Sequence, residues 1–267
     1  MTGPAPANAP ADANAPADTD APADAIQAPG TPEALWAAWP GWAGLDRLDL
    51  GGPRRVLVVA AHPDDEVLGV GGTIASLAAA GARLRLVAVT DGEASHPGSS
   101  SPVARDLARI RSAETLAALA ALGAEHAEVV RLGLPDTGVG QHEEELVRRL
   151  GGLVRDVDLC LAPWSGDVHA DHEAAGRAAV AAGLLTGVPV LQYPVWTWHW
   201  ARPGDPRVPW QRAARLPLDP EARARKRAAL DCFASQLLPI GAEPADLAVL
   251  PPEEIAHFLR DHEVVFR

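Results

Sequence analysis

Short apolar runs alternate with helical periods along this 267-residue chain. Residues 55–61 (RVLVVAA) form a near-continuous apolar run rich in β-branched side chains. That pattern predicts a strand buried on both faces, as in a parallel sheet. Residues 67–80 are apolar and alanine-rich and close on Gly81, which predicts a helix. Residues 84–90 (LRLVAVT) read as a second strand, 102–122 as a long helix stopped by Gly123, 127–132 as a third strand and 143–155 as a further helix. Residues 157–162 predict a fourth strand ending at Pro163, 171–184 a helix with Asp171 as its N-cap, 188–193 a fifth strand and 220–236 a late helix. Upstream, Thr31 as cap and Pro32 in the first turn predict a short helix carrying Trp36 and Trp39 and ending at Pro40-Gly41. This alternation predicts an α/β fold: a Rossmann-like, doubly wound, mostly parallel sheet in a single domain. In such sheets ligands sit beyond the carboxyl ends of the strands.

Residues 1–32 break the pattern. They are Ala, Pro, Asp and Asn in near-repeats without a single Lys or Arg, and they read as a disordered tail with no signal-peptide character. The chain carries 23 basic and 35 acidic residues, a net charge of −12, and four of the acids (Asp12, Asp18, Asp20, Asp24) lie in that tail. Such a balance excludes a nucleic-acid or anionic-membrane binder. The long uncharged stretch 178–198 contains Gly183, Gly187, Pro189, Gln192 and Pro194, so it predicts a helix end and a strand, not a membrane span. Two cysteines, Cys160 and Cys232, exclude a disulfide scaffold and a cysteine-rich zinc module, and fit a cytoplasmic protein. Any metal must be held by His, Asp or Glu.

Two clusters carry that chemistry. Residues 61–66 (AHPDDE) follow the first strand and open a helix, with one imidazole and three carboxylates in five residues. A divalent cation would offset their repulsion; a polar loop in which Asp64 or Asp65 caps the helix is the plainer alternative. Residues 169–172 (HADH) follow the fourth strand and also enter a helix. Both loops belong to the same edge of the predicted sheet. Together they offer His62, His172 and carboxylates, the three-ligand set of a catalytic zinc site with an open position. With no soft ligand, Fe2+ or Mn2+ also fits.

The pair of motifs resembles the PIG-L/LmbE family of zinc-dependent N-acetylglucosaminyl deacetylases, over residues 55–193 of a domain taken as 33–267. The resemblance implies that His62, Asp65 and His172 hold zinc, that Asp64 is the general base, and that His169 stabilises the oxyanion or protonates the leaving amine. A cationic His169 would suit the first of these roles, with Asp171 orienting it. Arg111 and Asp136 would bind sugar hydroxyls or a substrate anion, although Arg111 also has the spacing of an intrahelical pair with Glu114. Lys226 and Ser235-Gln236 match the family as well, while Glu66 reads as structural. The implied partner is a small amino-sugar conjugate; a homo-oligomer is compatible. One departure stands out. Mycothiol-type members carry a tyrosine where this chain has Asp167, so any help from that tyrosine must come from elsewhere, such as Tyr193, or be absent.

Three further features bear on function. Residues 92–102 (GEASHPGSSSP) read as a mobile loop. Trp196, Trp198 and Trp200 would share one side of an extended chain, lining an acceptor site or forming a lid or dimer contact. Gly69, Gly71 and Gly72 faintly match a dinucleotide fingerprint, which keeps a nucleotide-binding oxidoreductase, or a non-catalytic binding module, as the alternative. The glycines also suit close packing of helix on sheet.

Overall fold

The apolar runs become strands of one sheet. The computed structural model describes residues 25–26, 28–52 and 54–267. Its main elements are α1 (Glu33–Ala37), β1 (Asp46–Arg47), β2 (Arg55–Ala60), α2 (Asp65–Ala79), β3 (Arg83–Ala88), α3 (Leu107–Ala121), β4 (Glu128–Arg131), α4 (Glu143–Leu153), β5 (Leu159–Pro163), α5 (Ala170–Thr186), β6 (Val190–Tyr193), α6 (Thr197–Trp200), β7 (Ala213–Pro217), α7 (Pro220–Leu230), α8 (Ala234–Leu237), α9 (Pro252–Ile255) and β8 (His262–Phe266). Residues 1–24 and 27 of the expected tail lie outside the described residues. At its end, the Ala28 carbonyl faces His199 Nε2 and Thr31 is buried against Ala201.

The eight strands run in the order β1-β7-β8-β6-β5-β2-β3-β4. Every pairing is parallel except the two that β8 makes with β6 and β7. The fold is therefore α/β with a mostly parallel sheet. The chain leaves β2 outward through β3 and β4, then returns past β2 to β5 and β6. The order reverses at the β2/β5 seam, and a crevice opens where strands on either side of such a seam send their loops apart. Along β2 the side chains alternate. Val56, Val58 and Ala60 face one apolar layer with α2, α3 and α7, and Leu57, Val59 and Ala61 face the other with α4 and α5. Alanines at 174, 175, 178, 179 and 182 pack α5 onto the second face. The uncharged stretch 178–198 is the end of α5, β6 and the turn beyond, and among the described residues no helix is long and apolar enough to cross a membrane.

Several local readings change. Thr31 does not cap α1; Pro32 is the N-cap, and the Thr31 hydroxyl donates to the Ala201 carbonyl at 2.7 Å. The predicted helix 102–122 begins as a 3-10 turn before α3, and the predicted helix 220–236 breaks after Leu230 into α7 and α8. The short strands β1, β7 and β8 escape pattern reading. The tryptophan segment is a helical turn, α6, not an extended chain, so the indoles do not line one side. Trp198 is buried edge-on against Trp36, with ring centres 5.2 Å apart.

α2 is kinked at Val70 (φ −139°, ψ 22°). The freed Leu68 carbonyl accepts from Lys226 Nζ, and the Gly72 and Thr73 amides donate to Glu263. Lys226 and Glu263 form a buried ion pair at 2.7 Å. A Cβ at Gly69 would strike the Tyr193 ring and one at Gly72 the Leu218 side chain, so these glycines serve close packing.

Candidate active site

Loops from the carboxyl ends of β2, β3, β4 and β5 meet at the crevice. Among the described residues the only non-glycine positions with positive φ are Asp64 (115°), Thr137 (66°) and Val168 (70°), and all three lie in these loops. Thr137 and Val168 are β-branched, for which this region is strongly disfavoured. Strain of this kind persists only where surrounding contacts enforce it, and it clusters at functional sites.

Those contacts bring His62, Asp65 and His172 together. His62 Nδ1 lies 3.2 Å from His172 Nε2 and 3.6 Å from an Asp65 oxygen, and His172 Nε2 lies 3.2 Å from the other Asp65 oxygen. All three side chains are buried. His169 packs its ring 4.8 Å from that of His62 and 4.7 Å from that of His172. Burial works against charge on every one of these groups, but the neighbours decide the outcome. For His62, hydrogen bonds to Asp136, Asp171 and Asp65 outweigh burial and hold the imidazole well above its ordinary value. For His172, Asp65 and Asp167 overcome burial and raise it to about 9. Asp65, despite burial, is held well below the carboxylate range by His172 and His62. His169 has no carboxylate partner. Burial, then His172 and His62, push it down to about 3, so it is neutral here, where a cation was expected.

The Asp64 side chain pairs with Arg111 and makes no hydrogen bond to this trio. Burial lifts its carboxyl to about 7; Arg111 opposes the rise and Asp65 adds to it. Arg111 donates to Asp64 Oδ2 at 2.9 Å, to the Pro63 carbonyl at 2.6 Å and to the Gly92 carbonyl at 2.8 Å. It does not pair with Glu114, whose carboxylate instead accepts from the Ser235 amide and hydroxyl. Gly92 has φ 66°, and a Cβ there would occupy the place of the Arg111 guanidinium. Glu66 is fully buried, with one oxygen unpartnered, and burial raises it to about 8.

Asp171 is not the helix cap; His169 is the N-cap of α5. The Asp171 carboxylate accepts from the Thr137 amide (2.7 Å) and the Val139 amide (3.1 Å) and lies 3.3 Å from His62 Nε2, so it faces His62 and not His169. Asp136 also faces His62 Nε2, at 3.1 Å, and its other oxygen accepts from the Ala94 amide at 2.8 Å. Burial notwithstanding, His62 holds Asp136 at about 2.

Asp167, the apparent departure, is a site residue to which the sequence reading gave no role. It is fully buried and accepts from His172 Nδ1 at 2.8 Å, from the amides of Val195, Trp196 and Thr197, and from the Thr197 hydroxyl. Its only sequence signal is its place two residues before His169. Tyr193 cannot substitute for a catalytic tyrosine: it is buried, and its hydroxyl donates to the Val59 carbonyl at 2.6 Å. Nor is the 92–102 loop loose. Ser99 donates to Asp246, Ser101 to the Ile240 carbonyl, and Gln236 to Ser95.

The donor set fits a metal. Four-coordinate zinc with bonds of about 2.0–2.1 Å has ligand atoms about 3.3 Å apart; His62 Nδ1 to His172 Nε2 and His172 Nε2 to Asp65 Oδ1 are both 3.2 Å, while the 3.6 Å approach to His62 Nδ1 is made by the other Asp65 oxygen, which accepts from the His62 amide. Because Asp167 takes the Nδ1 side of His172, Nε2 faces the centre and would supply the lone pair once an ion displaced its proton. His169 Nδ1 is buried without a partner. Among the described residues, the groups of three whose single ligand atoms all lie close together are His62, His169 and His172, and His62, Asp136 and Asp171.

Residues 57–183 match the family model PIG-L, described as GlcNAc-PI de-N-acetylase. The chain is 34% identical over 174 residues to a 1D-myo-inositol 2-acetamido-2-deoxy-alpha-D-glucopyranoside deacetylase of Kineococcus radiotolerans, covering 54% of this chain and 48% of that protein. It is 33% identical over 205 residues to the protein of the same name from Streptomyces avermitilis, covering 66% and 67%. The chain thus spans about half the length of the first relatives it matches. The fold is shared with an antimicrobial reagent A40926 pseudoaglycone deacetylase, at a TM-score of 0.57 and 21% identity over 80% of this chain and 96% of that one. With its two motifs on adjoining strand ends, the chain belongs to the PIG-L family.

Proposed function

We propose that this protein is a metal-dependent amide hydrolase that removes the acetyl, or another N-acyl, group from a small molecule containing an N-acetylglucosaminyl unit. The observation that carries the proposal is a buried carboxyl, Asp64, poised at about 7 beside three converging metal-type donors. His62, Asp65 and His172 would hold the ion. Asp65 is preferred to His169 because an ionised carboxylate offsets a dication and His169 has no group to fix its tautomer. When bound, a divalent cation polarises the amide carbonyl and lowers the pKa of water, and zinc suits the nitrogen and oxygen donors. Asp64 accepts the proton of the attacking water and returns it to the leaving nitrogen, a task for which a pKa near neutrality is well matched. Arg111 holds Asp64 in place and favours its ionised form. Neutral His169 donates one N–H toward the carbonyl oxygen as charge develops there. The products are a free amine and acetate. Free cysteines, with Cys160 buried, suit a reducing cytoplasm.

The names of the relatives make a glucosaminyl inositol conjugate the first compound to test. Zinc-loaded protein is incubated with N-acyl glucosaminyl conjugates that differ in aglycone and acyl chain, and amine release is followed by mass spectrometry. Release should occur for at least the acetylated inositol conjugate, stop on chelation and return with zinc. A fully metallated protein that releases amine from none of them contradicts the proposal.

A further inference from the structure

His62 is gripped on the side opposite the donors. Its Nε2 lies 3.1 Å from Asp136 Oδ1 and 3.3 Å from Asp171 Oδ2, and both carboxylates are themselves fixed by backbone amides. They arrive from different places: Asp136 from the loop after β4, and Asp171 from the first turn of α5. The amides of Thr137 and Val139 hold Asp171, so the same loop that carries Asp136 also places Asp171, at the expense of a β-branched residue at φ 66°. A neutral imidazole has one N–H and one lone pair. Two carboxylates at Nε2 require the N–H to be there, which leaves Nδ1 as the lone pair pointing at Asp65 and His172.

We infer that Asp136 and Asp171 act together as a two-carboxylate clamp on the Nε2–H of His62, making both positioning residues for the metal ligand. The inference rests on the metal-site assignment made above but not on the reaction or its substrate. It departs from the sequence expectation for both residues. Both Asp136 oxygens are engaged, one by His62 and one by the Ala94 amide, so a sugar hydroxyl would have to compete with them. The Asp171 carboxylate is hydrogen-bonded to His62 and the Thr137 and Val139 amides, with no hydrogen bond to His169. The clamp has a partner in design at His172, where one carboxylate, Asp167, faces Nδ1. Duplication at His62 has a physical purpose. One N–H shared by two acceptors keeps its tautomer and ring orientation when either acceptor drifts. Carboxylate partners of metal-bound histidines also raise ligand basicity, and losing such a partner typically weakens metal affinity about 10–100-fold.

The alternative use of the same three residues is as a cation site in its own right. That would require a lone pair on Nε2 as well as on Nδ1, and so the loss of the ring's last N–H proton.

The test measures zinc affinity and stoichiometry by competition with a chromophoric chelator, for the full chain and its Asp136→Asn, Asp171→Asn and doubly substituted variants, with thermal melts to establish folding. One zinc per chain is expected. Each single variant should lose less than the usual 10–100-fold, because the remaining carboxylate keeps the N–H, and the double variant should lose about 10–100-fold, more than the product of the singles. In a two-bond 1H–15N spectrum of the zinc-loaded protein, the His62 pattern should be that of the Nε2–H tautomer, with the Nε2 proton moving upfield in Asp136→Asn. A double variant that binds zinc as tightly as the original overturns the clamp, as do single losses that simply multiply. So does a second zinc that disappears in Asp136→Asn, or an Nδ1–H pattern. None of these readouts passes through turnover, so a failure to find amide hydrolysis would leave the result intact, and a failed clamp would leave the hydrolase proposal standing.

Discussion

Asp64 combines a φ of 115° with a carboxyl raised to about 7. A buried carboxylate is costly to ionise, and Arg111 at 2.9 Å is the group that limits the cost. The guanidinium stabilises the ionised form, so its removal lets Asp64 keep its proton to higher pH. In the Arg111→Met variant the acid limb of kcat should therefore move to higher pH, with turnover recovering on the alkaline side. A pH–rate profile of both proteins decides the matter: a limb that stays in place or moves to lower pH contradicts the link between Arg111 and the base. Melting curves are needed beside it, because Arg111 also ties the Pro63 and Gly92 carbonyls.

At the scale of elements, the site is made by loops held in unfavourable backbone conformations between ordinary strands and helices. Val168 is the clearest instance. It stands at φ 70° between Asp167, anchored to the first turn of α6, and His169, the N-cap of α5. The left-handed region costs a β-branched residue about 1–3 kcal/mol, and glycine, which adopts it freely, loses about 0.5–1 kcal/mol of chain entropy. Val168→Gly should therefore stabilise the protein by about 1 kcal/mol while lowering turnover, because the loop no longer holds His169 in one place. Urea unfolding would show a higher midpoint at unchanged slope. A lower midpoint would mean that the Val168 side chain contributes more by packing than its backbone costs. The 92–102 loop teaches the reverse lesson: a composition that reads as mobile is pinned by Asp246, Ile240 and Gln236, which are distant in sequence.

In the whole molecule, the segment after β6 braces the half of the sheet that carries the candidate site. β8 enters the sheet antiparallel between β6 and β7, and from it Glu263 reaches the kink in α2 while Lys226 approaches from α7. Their ion pair is buried, so removing one partner strands the other charge at a cost of about 3–5 kcal/mol. Lys226→Met should lower stability by that order in denaturant melts, and adding Glu263→Gln should recover part of the loss. A single variant with nearly unchanged stability would show that Glu263 is satisfied by the Gly72 and Thr73 amides alone. Because α2 begins at Asp65, damage at this pair should also loosen the 61–66 loop.

The central strands β2, β3, β5 and β6 were legible in the sequence because each is an aliphatic run bounded by turn residues, a signal carried by neighbours along the chain. The two motifs were legible for the same reason: their imidazoles and carboxylates stand side by side at predicted strand ends. Chain order alone placed the two loops on one edge of a parallel sheet. What depended on distance in space was not visible. The edge strands β1, β7 and β8 are short and have meaning only in their pairing. Asp167 looked like a missing tyrosine until four residues from beyond β6 were seen to surround it. The family resemblance implied a sugar contact for Asp136, and Asp171 read as a helix cap or a partner of His169; only the folded chain turns both toward His62. Residue type and spacing determined which chemistry was present. Tertiary structure decided which nitrogen, oxygen and carbonyl each group would face, because hydrogen bonds and charge pairs are set by contact geometry that a linear spacing does not encode.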